Sequence, residues 1–329
     1  MQKSNLKRGF CTLLFGVSSL YATQSEFVYN NYWSINDNSS KNAIMVGATT
    51  ATAKGYSAIL TNPAGLSSNA NIALYSRTSV TTTTAENNEK LTQTKAQNQL
   101  AFGALYRSFG IEYKLDDYVA LGMGYGYESK YGLFSIGATY LIDTTKRATE
   151  NATKETSSDE YATGNYSIIG MMWQKSFITP KHFYAIYLGI SRKSSGKYSG
   201  NSGNQHIIPI SPIKMSYGVG FETNIYKTSI LLTMDHFTET WKSHNEERIG
   251  NAFGAKWFIF DKFSVGGGMS FQTNKNNPLG DINTLGVGVE YSIFNLHLNG
   301  SYTQRKTYRQ NGDFYLKDEG AHLDVALTF

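Results

Sequence analysis

The sequence lacks several features that mark common classes of protein. Cysteine occurs once in 329 residues, as Cys11, within an N-terminal segment that we expect to be removed. The mature chain would therefore hold no disulfide and no thiolate metal ligand. Beyond that segment there is no run of about eighteen apolar residues, and the mean hydropathy is −0.35, so helical membrane spans are excluded.

An excess of charge of one sign is also missing. The formal net charge is +5, and Lys3, Lys7 and Arg8 lie in the segment to be removed, so subtracting them leaves +2. That excess is small, and the cations form no basic stripe. We therefore expect no nucleic acid partner.

Patterns typical of catalytic or metal sites are absent as well. The histidines show no His-Glu-x-x-His spacing, and the chain has no Gly-x-Ser-x-Gly elbow. Asp235 and His236 are neighbours in an extended segment, so their side chains point to opposite faces. We predict that the protein is not an enzyme, with no catalytic residue, no metal site and no cofactor. The histidines are His182, His206, His236, His244, His297 and His322.

Residues 1–22 have the composition of a cleavable export signal. Three cations precede the short apolar run Phe10–Leu20, and Ala22 supplies a small residue at the cut. The run is too short to span a bilayer as a helix. Cys11 is disfavoured as a lipid acceptor because the residues before it are polar and basic. We expect the mature chain to begin at Thr23.

The last nine residues have the pattern of a membrane β-strand. From Ala321 to Phe329 apolar residues alternate with polar or small ones, so one strand face is wholly apolar. A strand between lipid and a wet lumen needs this division; an edge strand of a soluble sandwich is the alternative. A final Phe resembles Gram-negative outer-membrane barrels, whose last strand is read by the barrel assembly machinery. The predicted assembly signal is Leu323, Val325, Leu327 and Phe329.

The same alternation recurs along residues 70–329, which we predict to form an outer-membrane β-barrel. Aromatic residues make up 14% of the chain, which suits the interfacial girdles of such a barrel. Within residues 96–144 the apolar phase moves from even positions, as at Phe102, to odd ones, as at Ile111, and back. A phase change marks a turn or a bulge. Turns would give about fourteen strands and bulges about twelve. Thr83–Lys95 is expected to be a long outer loop.

The predicted fold is therefore all-β, a transmembrane antiparallel barrel of about 14 strands, with 12 as the alternative. Its inward face carries glycines and charges of both signs. Inward glycine weakens a strand unless another backbone must approach the wall, or unless it relieves curvature. Mixed charges favour a hydrogen-bonded network that braces the wall over an ion-selective constriction. The glycines are Gly122, Gly124, Gly126, Gly250, Gly254, Gly266, Gly268, Gly286 and Gly288; the charges are Lys214, Glu222, Asp235, Glu239, Arg248, Lys256, Glu290, Arg305 and Asp324.

Residues 23–69 do not alternate and are rich in small residues. The run Asn62-Pro63-Ala64-Gly65 predicts a turn, because proline fixes φ and glycine allows a positive φ. A segment of this size before the first strand is either a periplasmic extension or a plug inside the barrel. Its low charge favours a plug. We refer to it as the predicted hatch.

The hatch segment carries a family signature. Residues 57–66, SAILTNPAGL, resemble the motif of the FadL/TodX family of outer-membrane hydrophobic-compound transporters. The resemblance implies a fourteen-stranded barrel with the hatch inside its lumen. It also implies a gating role for Asn62, Pro63, Ala64, Gly65 and Leu66. Family members commonly carry acidic residues just before the Ser-Ala pair, whereas this chain has Lys54-Gly55-Tyr56, which leaves any role of those acids in doubt.

The expected function follows from this resemblance. The protein would be a monomeric barrel of the cell outer membrane that admits small hydrophobic molecules, of the long-chain fatty acid or aromatic hydrocarbon type, by passive diffusion past the hatch. Its expected partners are a hydrophobic small molecule or detergent in the lumen, outer-membrane lipids and the barrel assembly machinery. A non-specific porin remains an alternative, as does a structural or adhesive surface protein that acts through the loops Thr81–Thr94 and Thr144–Ser158.

Overall fold

The computed structural model describes residues 40–68, 72–87, 90–115, 118–143, 163–179, 182–194, 197–199, 213–241, 246–275, 279–309 and 314–329. The predicted export signal (1–22), the first part of the predicted hatch (23–39) and the predicted loop Thr144–Ser158 lie outside the described residues. The strands are β1 Ile72–Asn87, β2 Lys90–Tyr106, β3 Phe109–Lys114, β4 Tyr118–Ser129, β5 Gly132–Asp143, β6 Thr163–Ile178, β7 Phe183–Lys193, β8 Lys197–Ser199, β9 Ile213–Ile225, β10 Thr228–Trp241, β11 Glu246–Phe260, β12 Phe263–Lys275, β13 Leu279–Ile293, β14 Leu296–Arg309 and β15 Phe314–Thr328.

Fourteen of these strands close into an antiparallel barrel. Strands pair with their neighbours in chain order, β7 pairs with β9, and the pairing of β1 with β15 joins the two ends of the wall. The pairing of β5 with β6 completes the ring, while the short β8 pairs with the start of β6. The predicted fourteen-stranded barrel is confirmed, and the twelve-stranded alternative is wrong.

The phase changes within residues 96–144 arise from turns. The phase changes where Arg107 and Ser108 join β2 to β3, and it changes back where Lys130 and Tyr131 join β4 to β5. The outward residues therefore fall on even positions in β2, on odd positions in β3 and β4, and on even positions again in β5. The phase changes are therefore caused by turns, and the alternative cause, β-bulges, is excluded at these positions.

The predicted outer loop Thr83–Lys95 is wrong for most of its length. β1 continues to Asn87 and β2 begins at Lys90, and the two strands pair up to Asn87 and Lys90. The segment contains a run of threonines, which are β-branched and favour the extended backbone. The polar composition that suggested a loop instead belongs to a hairpin that extends the wall.

The barrel wall is apolar outside and polar inside. In β15, Leu323 is exposed on the outer surface, whereas His322 and Asp324 are buried inside. Burying polar groups inward is tolerable only because they find hydrogen-bonding partners there. At one end of the barrel, which we call the turn end, two-residue turns join the strands, except that four residues separate β6 from β7. The last residue, Phe329, lies at this end, and the opposite end is the loop end.

Residues 40–68, which we call the hatch from here on, fill the inside of this ring. They form a short helix, α1 (Ser40–Ile44), and two 3-10 turns, Gly55–Ala58 and Pro63–Ser68. Small side chains dominate, so the backbone folds back on itself and packs closely; Ala48, Ala58 and Ala64 are fully buried. The plug interpretation is therefore confirmed for these residues. Among the described residues, no helix is long and apolar enough to cross a membrane.

Candidate functional site: the hatch and its seat in the wall

The hatch touches the wall at inward glycines. A Cβ atom placed on Gly137 would lie 2.3 Å from the carbonyl group of Pro63, and one on Gly124 would lie 2.6 Å from the amide nitrogen of Ser67. On the other side of the lumen, a Cβ on Gly286 would lie 2.2 Å from the carbonyl oxygen of Ala43. These distances are below any contact that a real Cβ makes, so the wall positions must be glycine for the hatch to sit where it does.

These wall positions in contact with the hatch, which together we call the seat, explain most of the inward glycines listed in the sequence analysis. Gly122, Gly124, Gly126, Gly254, Gly266, Gly268, Gly286 and Gly288 all face hatch atoms. Gly250 does not, because the ring of Phe237 occupies the space beside it, 2.4 Å from an added Cβ. Gly137, Gly170 and Gly189 also face the hatch, but the sequence analysis did not identify them. The alternation of apolar and polar residues along their strands would have placed them on the inward face.

Asn62 connects the hatch both to itself and to the wall. Its side-chain nitrogen, Nδ2, lies 2.7 Å from the carbonyl oxygen of Thr50 in the hatch. The same atom lies 3.2 Å from the carbonyl oxygen of Met171 and 3.3 Å from that of Ile190, both in the wall. Its side-chain oxygen accepts the amide of Ala64 at 3.2 Å. The residue is fully buried. One side chain therefore fixes the local turn and ties it to two neighbouring strands.

The four residues after Asn62, which complete the family signature, lie in the 3-10 turn Pro63–Ser68. Pro63 and Ala64 are buried against the wall. Gly65 must be glycine, because an added Cβ would lie 1.9 Å from the carbonyl oxygen of Ala53. Leu66 is fully buried and packs on Gly122. The geometry brings the signature residues together at the wall; their gating role stays a prediction.

Two wall carboxylates accept backbone amides of the hatch. Asp235 accepts the amide of Thr50 at 2.8 Å, and Asp324 accepts that of Ser40 at 2.8 Å. Asp324 also accepts the hydroxyl of Tyr56 at 3.2 Å. Burial, and after it the charge of Asp324, raises the pKa of Tyr56 well above its usual value, so the hydroxyl stays a donor.

The inward charges form pairs, as their mixed signs predicted. Glu239 lies 3.2 Å from Lys214 and 3.9 Å from Arg248, and Lys256 lies 2.5 Å from Glu290. Arg305 pairs with Asp318. Such pairs satisfy one another in a medium where a lone charge would be costly.

One buried ion pair was missed in the sequence. Arg77 and Glu112 contact each other inside the lumen, and Glu112 also accepts the hydroxyls of Tyr75, at 2.8 Å, and Tyr118. Both charged side chains are almost completely buried. The outward position of Ile111 would have placed Glu112 inward, so the signal was present.

A cavity of about 280 Å³ lies above the hatch on the loop side, and we call it the vestibule. Most of the residues that line it are polar, with hydroxyl and amide side chains such as Thr81, Gln99 and Ser270 and the pairs Lys214–Glu239 and Arg305–Asp318, although apolar atoms make up about as much of the lining surface as polar atoms do. Its larger apolar side chains are Val46, Leu60, Ile168 and Phe237. The volume falls just below the range of about 300–1,000 Å³ usual for ligand pockets.

The terminal strand occupies the predicted place. β15 pairs with both β1 and β14, and the amide of Phe329 donates to the carbonyl of Ile72 at 2.8 Å. Leu323 and Phe329 are exposed on the outer surface. Recognition of this strand during assembly stays a prediction. Within the described part of the chain, no three His, Cys, Asp or Glu side chains cluster closely enough to hold a metal ion.

No family model matches the sequence, and no curated protein matches it either. Solved structures do match. The CymD monoaromatic hydrocarbon channel aligns at 11% identity over 88% of this chain and 96% of its own, with a TM-score of 0.54. A deltaS2S3 mutant of the TodX monoaromatic hydrocarbon channel aligns at 11% identity over 88% of this chain and 99% of its own, with a TM-score of 0.54. A Pseudomonas aeruginosa FadL homologue aligns at 10% identity over 89% of this chain and 98% of its own, with a TM-score of 0.51. At such identities the likeness shows the fold, which is that of the FadL/TodX outer-membrane channels.

Proposed function

We propose that this protein is a monomeric outer-membrane channel through which small hydrophobic molecules pass passively, and that the hatch controls that passage. The observation that carries the proposal is the seat: a separate segment lies in the lumen on glycines that admit its backbone, and hydrogen bonds hold it there. A wall built for strength alone could fill its lumen with its own side chains. A removable segment suits a gate.

The vestibule is the expected binding position of a ligand before it passes the hatch. A molecule that enters from the loop end would rest on the hatch, against the apolar group Val46, Leu60, Ile168 and Phe237. The small volume and the polar remainder of the lining favour a compact aromatic molecule over a long alkyl chain. Two of the three solved structures named above, CymD and the TodX mutant, are monoaromatic hydrocarbon channels, which agrees with this preference.

The gate is testable because the mature chain is expected to be free of cysteine. The hydroxyls of Ser67 in the hatch and Ser135 in the wall are 2.7 Å apart. The double variant S67C/S135C should form a disulfide that locks the hatch. Oxidised protein in cells or vesicles should take up toluene far more slowly than wild type, and a reductant should restore the rate.

A matched control joins two parts of the wall instead. The hydroxyls of Ser167 and Ser194 are 3.3 Å apart, and neither residue belongs to the hatch. Oxidised S167C/S194C should transport normally. If the hatch lock leaves uptake unchanged, the hatch is not the gate. A large ion conductance in locked and unlocked protein alike would support the porin, and absence of any uptake by wild type would support the structural or adhesive protein.

A further inference from the structure

At the turn end of the barrel, five cations each lie over an aromatic ring, at 4.9–5.9 Å from the ring centre. We call these the rim pairs. Among the described residues, the acidic groups at this rim are Glu128 and Asp261; Glu222 and Glu290, near the same end, face the lumen, where they bond to Tyr187 and Lys256. The described rim is therefore net positive and aromatic. The rim pairs are Arg107 with Tyr106, Lys130 with Tyr131, Lys175 with Phe177, Lys227 with Tyr226, and Lys262 with Phe294.

Three turns adopt an unfavourable backbone conformation at a rim residue. Arg107, Tyr226 and Phe294 have φ values of 51°, 59° and 49°. Bulky residues rarely adopt this left-handed region, and hairpin turns normally place glycine, asparagine or aspartate there. The two aromatic side chains are also 90% and 88% exposed. A persistent strain of this kind points to a role for the side chain that the turn displays.

The depth of the turns in the membrane follows from the wall. On β13 the outward residues are apolar from Leu285 to Ile293, directly before Phe294, and polar at Asp281 and Asn283. The apolar band therefore reaches the turns and stops short of the loop end. A turn at the edge of the band lies at the lipid headgroups, where aromatic rings are favoured.

We propose that the rim pairs bind the phosphate groups of anionic phospholipids in the leaflet that surrounds the turn end. Each ring would lie at the boundary of the hydrocarbon, and the cation over it would donate charge-assisted hydrogen bonds to phosphate oxygens. A cation near a membrane surface contributes about fivefold to the local preference for anionic lipid. This inference does not depend on what the channel carries.

The test compares two double variants of the full chain, reconstituted in vesicles of phosphatidylcholine mixed with phosphatidylglycerol. K227Q/K262Q removes two rim cations. The matched control, K275Q/K317Q, removes two cations near the loop end that pair with Glu247 at 3.5 Å and Glu319 at 3.0 Å. Lipid retained by the protein on gentle extraction is counted by native mass spectrometry. The retained ratio of phosphatidylglycerol to phosphatidylcholine should fall several-fold for the rim variant and stay near wild type for the control.

Equal ratios in wild type and K227Q/K262Q would overturn the proposal, and so would an equal fall in both double variants, which would indicate a general charge effect. Added salt should lower the wild-type ratio, because the attraction is screened. Y226S/F294S keeps the cations and removes two rings. It should also lower the ratio, and no change would refute the role given to the rings. Each variant counts as folded if the unboiled protein migrates differently from the boiled protein on a denaturing gel, as the wild type is expected to do.

Discussion

Asn62→Ala offers the sharpest measurement of how firmly the hatch is held. The substitution removes an amide group that donates to three carbonyl oxygens, of Thr50, Met171 and Ile190, and accepts the amide of Ala64. Two N–H groups and one acceptor are lost, at about 1 kcal/mol net for each hydrogen bond. The hatch in place should therefore lose roughly 3 kcal/mol relative to a state in which it has left the wall and unfolded, and the equilibrium for this opening should rise about a hundredfold.

Hydrogen exchange reads this equilibrium directly, because a protected amide exchanges when its hydrogen bond opens. The amides of Ala53 and Gly65 are bonded within the hatch, to the carbonyls of Thr49 and Asn62. Both should exchange about a hundredfold faster in Asn62→Ala. Amides between β13 and β14 should not change, because strand pairing is untouched.

Graded variants strengthen the test. Ser191→Ala removes a single bond to the carbonyl of Thr61, so its effect should be about tenfold or less. Asn62→Asp keeps the acceptor for Ala64 but turns a carboxylate oxygen toward carbonyl oxygens, and it should open the hatch further than alanine does. Asn283→Ala, at an exposed wall position, is the control. Hatch amides that exchange as slowly in Asn62→Ala as in this control would refute the reasoning.

Three further outcomes are expected. Gly137→Ala should displace the hatch, because the added Cβ collides with the carbonyl of Pro63, and the S67C/S135C cross-link should then fail to form. Gly300→Ala should leave the cross-link intact, since nothing lies within 4 Å of its added Cβ. An intact cross-link in Gly137→Ala would contradict the proposed contact between hatch and wall. Glu112→Ala should remove the carboxylate that compensates the buried charge of Arg77, cost about 3–5 kcal/mol, and lower the temperature at which the folded gel band disappears; an unchanged temperature would count against the ion pair. Deleting Phe329 should sharply lower the amount of assembled barrel in outer membranes, and normal levels would exclude it as an assembly signal.

Much of the wall could be predicted from the sequence, because a strand between lipid and lumen obeys a local rule. The alternation in β15 identified the outward residues Leu323 and Phe329, and the phase change between Phe102 and Ile111 identified the turn at Arg107. The rule fails where composition misleads. The threonines after Thr81 are polar enough for a loop, but their β-branched side chains extend β1, and the sequence alone does not say which property prevails.

The hatch marks the opposite case. Its small residues and the Asn62–Leu66 signature predicted a plug, but the contacts of Asn62 with Met171 and Ile190 join segments more than a hundred residues apart. The same holds for Gly137, which is an unremarkable glycine until Pro63 is placed 2.3 Å from its missing Cβ. The sequence by itself determined the period and the presence of a segment that is not a strand, and it limited the strand number to fourteen or twelve, since each depends on neighbouring residues along one chain. Only the tertiary structure decided which glycines admit the hatch and which carboxylates hold it, because closing the ring brings distant strands to a common lumen.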